Sequence, residues 1–445
     1  MTVMDESADV VVVGYGFAGA CAAIAAADAG ASVLLLERMA RPGGISICSA
    51  GGVRVAAEAP AALAYLEATC AGRTPASVLA ALATGMTEVG AKVRTMGAAC
   101  GAVVSERRSP ANYPFPGHET FGFVQVDAIP GFDPTAAYPD AHGSPAGALL
   151  FRLVEANVEA RPITVRTRAR ALRLLAGSGC VTGVLAETPS GTRRIAAAGG
   201  VVLACGGFEA DPAMQAQYWE GGPALNAAFP GNTGDGIRMA QAVGADLWHM
   251  WHYHGSYGFR WPDPAWPFGV RVKRLPDWTP GSDRAVPVMP WILVDQDGRR
   301  FMNEYEPYLQ DTGARPLCLM DAGRQRQPRE PAWLITDAAG FALYPLGRPT
   351  SHATGLVLDW GPDNRRALAA GLFRVAADVR ALGASIGVPA DALAGTLAAW
   401  NAACAAGVDP LHGSPPSSLH ELAKAPLYAA PVHKVVSNTQ GGPVH

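Results

Sequence analysis

The chain has 445 residues, which at roughly 150 residues per domain suggests two or three domains. Its formal net charge of −3 gives no electrostatic footprint for nucleic acid or for an anionic membrane surface. Hydrophobic residues make up 49% and charged residues 16%, which excludes a disordered chain, and 51 glycines with 36 prolines indicate many loops around a packed core.

From the N-terminus, Asp5, Glu6 and Asp9 leave no basic stretch, so no secretory signal is expected. Residues 16–36 are apolar enough to span a membrane on hydropathy alone. A buried strand–helix–strand unit explains them better, and no span is expected. Residues 10–13 are a β-branched run without alternation, the pattern of a strand buried on both faces. Gly14-Tyr15-Gly16-Phe17-Ala18-Gly19 follows at once. A helix-like stretch over 20–29 then ends at Gly30, and a second strand over 32–36 closes on Glu37. This is GxGxxG in its full βαβ setting. Gly14 permits the tight turn, and Gly16 lets backbone reach a pyrophosphate at the helix N-terminus. Gly19 lets helix and strand pack closely, while Phe17 and Ala18 open the helix. Glu37, about 20 residues on, is placed to accept both ribose hydroxyls. Dinucleotide binding is the expectation; a Gly-rich turn that binds nothing is the alternative.

Past Arg38, the loop Gly43-Gly44-Ile45-Ser46-Ile47-Cys48-Ser49-Ala50-Gly51-Gly52 offers backbone N–H and hydroxyl donors along an extended ligand. At this point the sequence resembles the flavoprotein family of fumarate reductases and succinate dehydrogenases, which includes 3-ketosteroid dehydrogenases. The resemblance implies FAD, with Arg38, Gly43, Gly44, Ser46, Ser49, Gly51 and Gly52 along its pyrophosphate and ribityl chain. Members with covalent flavin carry a His in this loop. Ile45 stands at that place, which implies noncovalent FAD.

Residues 163–175, 181–186 and 192–197 read as a strand and a β-hairpin. Val201-Val202-Leu203-Ala204-Cys205-Gly206-Gly207-Phe208 resembles the family's strand ending in ATGGF, which returns to the nucleotide sheet. Ala169, Ala204, Gly206 and Gly207 are the cofactor contacts this implies. Asn232-Thr233-Gly234-Asp235-Gly236 resembles the family's NTGDG loop, at the start of a helix over 237–243. Thr233 and Asp235 would then lie near flavin hydroxyls; a plain helix N-cap is the other reading of Asp235.

Residues 248–278 crowd aromatics, His and Pro together without a period, as segments covering active sites often do. Their composition favours a bulky, apolar small-molecule substrate. No Asp, Glu or Cys completes a ligand set with His249, His252 and His254, so no metal is expected. These histidines face substrate or serve loop hydrogen bonds. Residues 290–295 read as a strand, and the segment from Arg299 to Glu304 resembles the family's GxRFxNE. Fumarate reductases next place the Arg that delivers the proton. Here Tyr308 stands in that position, in an NExxPY pattern similar to 3-ketosteroid dehydrogenases, whose catalytic set includes the Tyr. A phenol is neutral near pH 7 and cannot clamp a small dicarboxylate. A rim or core tyrosine is the alternative for Tyr308.

Residues 365–386 and 390–406 are helical by period, and the segment from Leu397 to Asp409 resembles one that closes the cap. Tyr428, in Pro426-Leu427-Tyr428-Ala429, matches the family's PFYA, whose Tyr faces substrate in steroid dehydrogenases. Asn438 replaces the His of HTxGG. Family members continue for roughly one more hairpin and helix, so the chain reads as a fragment or a truncated gene product. Its eight cysteines fall in no CxxC or CxxCH spacing, which predicts reduced thiols in the cytoplasm rather than zinc, haem or a redox pair.

The expected architecture is α/β: a Rossmann-like FAD-binding domain (1–247), an inserted α+β capping domain (248–425) and an incomplete return to the first domain (426–445). The expected activity is hydride transfer between flavin N5 and a carbon next to a ketone, a 3-ketosteroid being one candidate. Tyr308 and Tyr428 would share proton abstraction and carbonyl polarisation. A free phenol is a poor base, so the site would have to lower its pKa. The alternatives are a reductase of an activated alkene, running the transfer backwards, and a truncated flavoprotein without activity. No second GxGxxG supports a separate NAD(P)H domain, and the sequence identifies no electron acceptor.

Overall fold

The computed structural model describes residues 4–276, 285–305, 313–438 and 441–444. The nucleotide end is built from β1 (Glu6–Val13), the helix Phe17–Asp28 and β2 (Val33–Leu36). A side sheet follows, from β3 (Gly52–Ala56), β4 (Val103–Arg108) and β5 (Phe121–Ala128). The main sheet is completed by β6 (Ile163–Arg166), β7 (Arg170–Gly177), β8 (Cys180–Thr188) and β9 (Gly191–Leu203), in the order β6-β2-β1-β9-β8-β7. The first four of these strands are parallel and the last two are antiparallel. Val12 faces one apolar core with Leu35 and Phe151, while Val11 and Val13 face another with Leu34 and Leu36. Burial on both faces is why β1 shows no polar alternation.

Two expected elements differ here. The strand over 163–175 is split into β6 and β7, because the chain turns at Arg168 (φ 51°) to leave one edge of the sheet for the other. The hairpin arm over 192–197 and the strand at 201–203 are one 13-residue strand, β9. A register shift at Ala8/Val10, opposite Gly199 and Gly200, lets it bend along β1 without ending.

The second sheet contains β10 (Leu225–Asn226), with β11 (Asp246–Trp248) lying outside it. Its other strands are β12 (Gly255–Arg260), β13 (Gly269–Val272), β14 (Ile292–Val294), β15 (Ala332–Thr336), β16 (Gly347–Arg348), β17 (Arg374–Ala376) and β18 (Leu427–Val436). A last strand, β19 (Gly442–Val444), pairs with β11. β18 lies at the centre, bonded to β10, β12, β15 and β17. The sequence reading returned the chain to the first domain at 426. Residues 427–436 instead stay with the second sheet, since a run with Leu427, Ala429, Ala430, Val432, Val435 and Val436 buried suits a strand covered on both faces. The helix expected over 365–386 is also interrupted. Gly371 (φ 82°) turns the chain so that Leu372 and Phe373 enter the core, β17 follows, and Asp378 caps a new helix Val379–Ile386 by accepting from Ala381 N–H at 2.8 Å.

A buried ionic cluster ties the cap together. The Arg300 guanidinium bonds both Glu304 oxygens at 2.6–3.0 Å and Asp409 at 2.8 Å, and lies over the Trp400 ring at 4.4 Å. Burial works against the Asp409 charge, yet the Arg300 and Ser414 hydrogen bonds bring its pKa down to about 2. With the folded pKa below the unfolded one, this contribution is present above the ordinary carboxylate range and is lost as pH falls toward 2. Replacing Arg300 by Met would leave two interior carboxylates without their cation. Breaking a buried pair costs about 3–5 kcal/mol, so Arg300→Met should lower the urea-unfolding free energy by that amount, and a loss under 1 kcal/mol would remove the cluster from the cap's support.

Candidate active site

The βα turn after β1 has no room for side chains. Gly14 sits at φ 104°, and a Cβ there would overlap the Ala204 carbonyl at the end of β9. A Cβ on Gly16 would lie 2.9 Å from Ser46 Oγ. That hydroxyl accepts the Phe17 N–H at 3.0 Å, so the second Gly/Ser loop is joined to the first turn of the helix. Glu37 is buried and accepts Tyr15 N–H at 3.0 Å on one oxygen and Met39 N–H at 2.8 Å on the other. Burial pushes its pKa up, and these two backbone bonds pull it back. Each oxygen keeps a lone pair for a ribose hydroxyl.

These groups line a cavity of about 360 Å³. Gly14, Gly16, Phe17, Ala18, Glu37, Arg38, Gly43, Gly44 and Ser46 face it from the first βα unit and the second loop. Ala169, Ala204, Gly206 and Asp235 face it from the rest of the sheet and the helix Asp235–Gln241. Gly19 lies behind the turn against Gly14, and Gly51 packs on Ala146. Gly52 adjoins Phe123, and Gly207 accepts the Gly234 N–H at 2.9 Å. Thr233 acts through Arg38, whose Nη1 donates to it at 2.8 Å and to the Gly231 carbonyl at 3.1 Å. Burial opposes charge on Asp235, but Arg170, bonded to both its oxygens at 2.9 and 3.1 Å, holds it below the usual carboxylate range. Tyr15, Arg170, Phe229, Gly231, Asn232 and Met239 also line the cavity and were not read from the sequence. Asn232 opens the NTGDG-like loop and Gly231 adjoins it, which is the one signal that could have found them.

A second cavity, of about 730 Å³, shares Phe17, Ile45 and Ser46 with the first. Ser49, Cys48 and Ala50 line its floor, and Gly143 and Ser144 come from the first domain. Arg271, Arg274, Arg348, Thr350, Ser351, Ser437 and Asn438 line its cap side. A backbone bridge between His142 and His352 and the bond from Ser144 N–H to Ser351 Oγ, 3.0 Å, hold the two sides together. Burial pushes the Cys48 thiol up to about 12, so it is not a thiolate nucleophile at neutral pH.

Arg271, Val272 and Arg274 of the 248–278 segment line this chamber, but its described core aromatics do not. Tyr257, Phe259 and Trp266 are buried in the cap core, because an eight-stranded sheet needs bulky side chains to fill its face. The described lining is mixed, with Phe17, Ile45 and Ala50 toward the cofactor cleft and Arg, Ser and Thr side chains on the cap side. Tyr428 is also elsewhere. It stacks on Phe341 with centroids 3.9 Å apart, opposite Thr336 and Val375. Val436, at the cavity end of the same strand, is eight residues away, roughly 26 Å at about 3.3 Å per residue. Tyr428 thus packs within the cap, away from the second cavity. Tyr308 lies outside the described residues. His252 stands beside Arg315 at 3.2 Å, with burial and that cation lowering its pKa to about 4. Among the described residues, no group of three His, Cys, Asp or Glu is placed to hold a metal, and no helix is long and apolar enough to cross a membrane.

A family model described as FAD binding domain matches residues 9–444. The chain belongs to this family. Among curated relatives, 4-oxocyclohexanecarboxylate 2-dehydrogenase of Sinomonas cyclohexanicum is 28% identical, over 98% of this chain and 83% of that protein. The 3-oxosteroid 1-dehydrogenase of Mycobacterium tuberculosis is 31% identical, over 55% of this chain and 42% of that protein. A crystal structure of 3-ketosteroid Δ1-dehydrogenase from Sterolibacterium denitrificans superposes with a TM-score of 0.76, covering 98% of this chain and 89% of that one at 22% identity, and shows the same fold. The chain is an FAD-dependent oxidoreductase acting on CH–CH groups. The cleft fits FAD: the Gly14–Gly16 turn leaves space for pyrophosphate at a helix N-terminus, and Glu37 has lone pairs for ribose.

Two outcomes follow from this geometry. Glu37→Ala should weaken FAD binding about tenfold or more in a flavin titration, since charge-assisted bonds contribute about 1.5–3 kcal/mol; unchanged affinity would remove Glu37 from the site. Ile45 can form no bond to flavin, so acid precipitation should release all yellow colour into the supernatant, and colour retained in the pellet would contradict noncovalent attachment.

Proposed function

We propose that the chain dehydrogenates a carbon–carbon bond next to a ketone of a small-molecule substrate. The observation that carries this reading is the shared wall of the two cavities. Phe17, Ile45 and Ser46 line both, so a substrate in the second chamber abuts the cofactor cleft. When bound, FAD supplies the hydride acceptor, its N5. The ketone acidifies the neighbouring C–H, and a side-chain base takes that proton as the next carbon gives up hydride. Tyr308 is the proposed base, on its NExxPY context in the sequence. Two features favour oxidation over alkene reduction. Asn438, on the chamber wall, cannot act as the proton donor that a His there would be. Both named relatives are dehydrogenases of oxo compounds. The eight thiols are all free, which fits a reducing compartment such as the cytoplasm.

The test is anaerobic mixing of the holoenzyme with cyclic ketones, ketosteroids included, while the oxidised flavin absorbance is followed. Bleaching by a ketone supports the reading. If no ketone bleaches the flavin, while small enoates reoxidise the chemically reduced enzyme, the chain is an alkene reductase. Tyr308→Phe keeps shape and loses only the hydroxyl, so FAD content should be retained while bleaching slows at least about a hundredfold. A rate within threefold of wild type would return Tyr308 to a packing role.

A further inference from the structure

We infer that Ser144 and Ser351 are the donor pair that polarises the substrate's ketone oxygen, holding the oxyanion that develops as the neighbouring proton leaves. The inference rests on reading the second cavity as the substrate chamber. With Tyr428 packed away from that cavity, carbonyl polarisation needs a donor on the chamber wall itself. The described hydroxyls there belong to Ser46, Ser49, Ser144, Thr350, Ser351 and Ser437. Thr350 spends its proton on the Ala227 carbonyl at 2.7 Å, and Ser437 donates to Asn438 Oδ1 at 3.2 Å. Ser46 also lines the cofactor cleft, and Ser49 follows on the same loop, so both stand on the cofactor side.

Ser144 and Ser351 meet across the seam between the first domain and the cap. Ser351 Oγ accepts the Ser144 N–H at 3.0 Å, and Ser144 Oγ accepts the Ala146 N–H at 3.4 Å. A hydroxyl carries one proton besides its acceptor lone pairs, so each oxygen is placed by a backbone N–H while its proton stays available. The seam is tight: Gly143 sits at φ 98°, and a Cβ there would lie 2.8 Å from both Ser351 Cα and Ser351 Oγ. A Cβ on Gly147 would come within 2.6–2.9 Å of the Ser46, Ile47 and Ser49 carbonyls. That contact holds the segment carrying Ser144 against the loop shared with the cofactor cleft.

When the base removes the proton next to the ketone, the electron pair of that C–H bond moves toward the carbonyl and builds negative charge on its oxygen. As the next carbon gives hydride to N5 of FAD, the pair returns to form the C=C bond and the C=O is restored. Donors fixed in advance stabilise the charged oxygen more than the neutral ketone, so they raise the rate rather than only tighten binding. One donor comes from each domain, and the pair is complete only with the cap seated on the first domain.

The pair is tested with 4-nitrophenol, whose colour reports its ionisation and whose phenolate oxygen stands for the oxyanion. It is titrated with pH on the resting holoenzyme and free in solution. Hydrogen bonds to the phenolate favour the charged form, so bound probe should ionise about one pH unit or more below free probe, about a tenfold preference. Ser144→Ala and Ser351→Ala should each remove most of that shift, and Ser351→Thr, which keeps a hydroxyl, should retain it. Ser144→Ala leaves its backbone N–H on Ser351, and unchanged flavin content and melting temperature would show that the seam is kept. In the anaerobic mixing experiment, each alanine variant should slow bleaching by a ketone about a hundredfold or more. A probe that does not bind, a bound probe that ionises like free probe, or a shift untouched by both alanine variants overturns the pair. Failure of the two readings is distinguishable. A serine-dependent shift with no ketone able to bleach the flavin supports the donor pair and rejects the dehydrogenase. Bleaching at an unchanged rate in both alanine variants rejects the pair alone.

Discussion

The structure depends on a close approach of three backbone segments at Gly14. The end of β1, the first turn of the helix Phe17–Asp28 and the end of β9 meet with no space for a side chain on Gly14. That contact fixes where the helix begins, and so where its unpaired N–H groups point. Ser46 takes one of them, at Phe17, and draws the second Gly/Ser loop over the turn. The floor of the second cavity is the continuation of that loop, through Cys48, Ser49 and Ala50. A substitution at Gly14 would therefore disturb cofactor cleft and substrate chamber together, although the chamber is built mainly by the cap.

Parts of the site encoded by short-range spacing were legible in the sequence. Gly14 through Gly19 and Glu37 lie within one βαβ unit, where strand, turn and helix dictate one another's positions. Arg170, Phe229 and Met239 carry no such signal, because crossovers of the main sheet bring them to the cleft from distant positions. The arginines were harder still. Arg271 and Arg348 are ordinary strand residues in the sequence, and only the pairing of β13 with β16 makes them neighbours. Tyr428 shows the converse. Its local pattern was legible, but the strand that carries it is long enough to place the phenol at the far end of the cap.

Composition misled in the same region for a physical reason. The aromatics over 248–278 were read as the kind of segment that covers an active site, yet Tyr257, Phe259 and Trp266 fill the cap core. Substrate chambers and cores draw on the same side chains, and only burial distinguishes them. The chamber's described wall carries Phe17, Ile45 and Ser46 near the cofactor and three arginines on the cap side.

Charged groups of the cap lie both inside it and beside the chamber. At Arg300 the cation meets Glu304 and Asp409 inside the protein, so its charge is satisfied by the fold itself. Arg271 and Arg348 stand opposite each other on neighbouring strands beside the second cavity. One strand organises both regions. β18 pairs at one end with β15 and β17, and at the other with β12, which carries β13 and β16 beside it. Past Val436 the same strand delivers Ser437 and Asn438 to the chamber wall. Groups held on strands keep their spacing better than groups on loops, so the chamber's cap wall is positioned by the sheet. The His142–His352 bridge joins the cap to the first domain, and the distance from the chamber's cap wall to the cofactor cleft is thereby set by the fold.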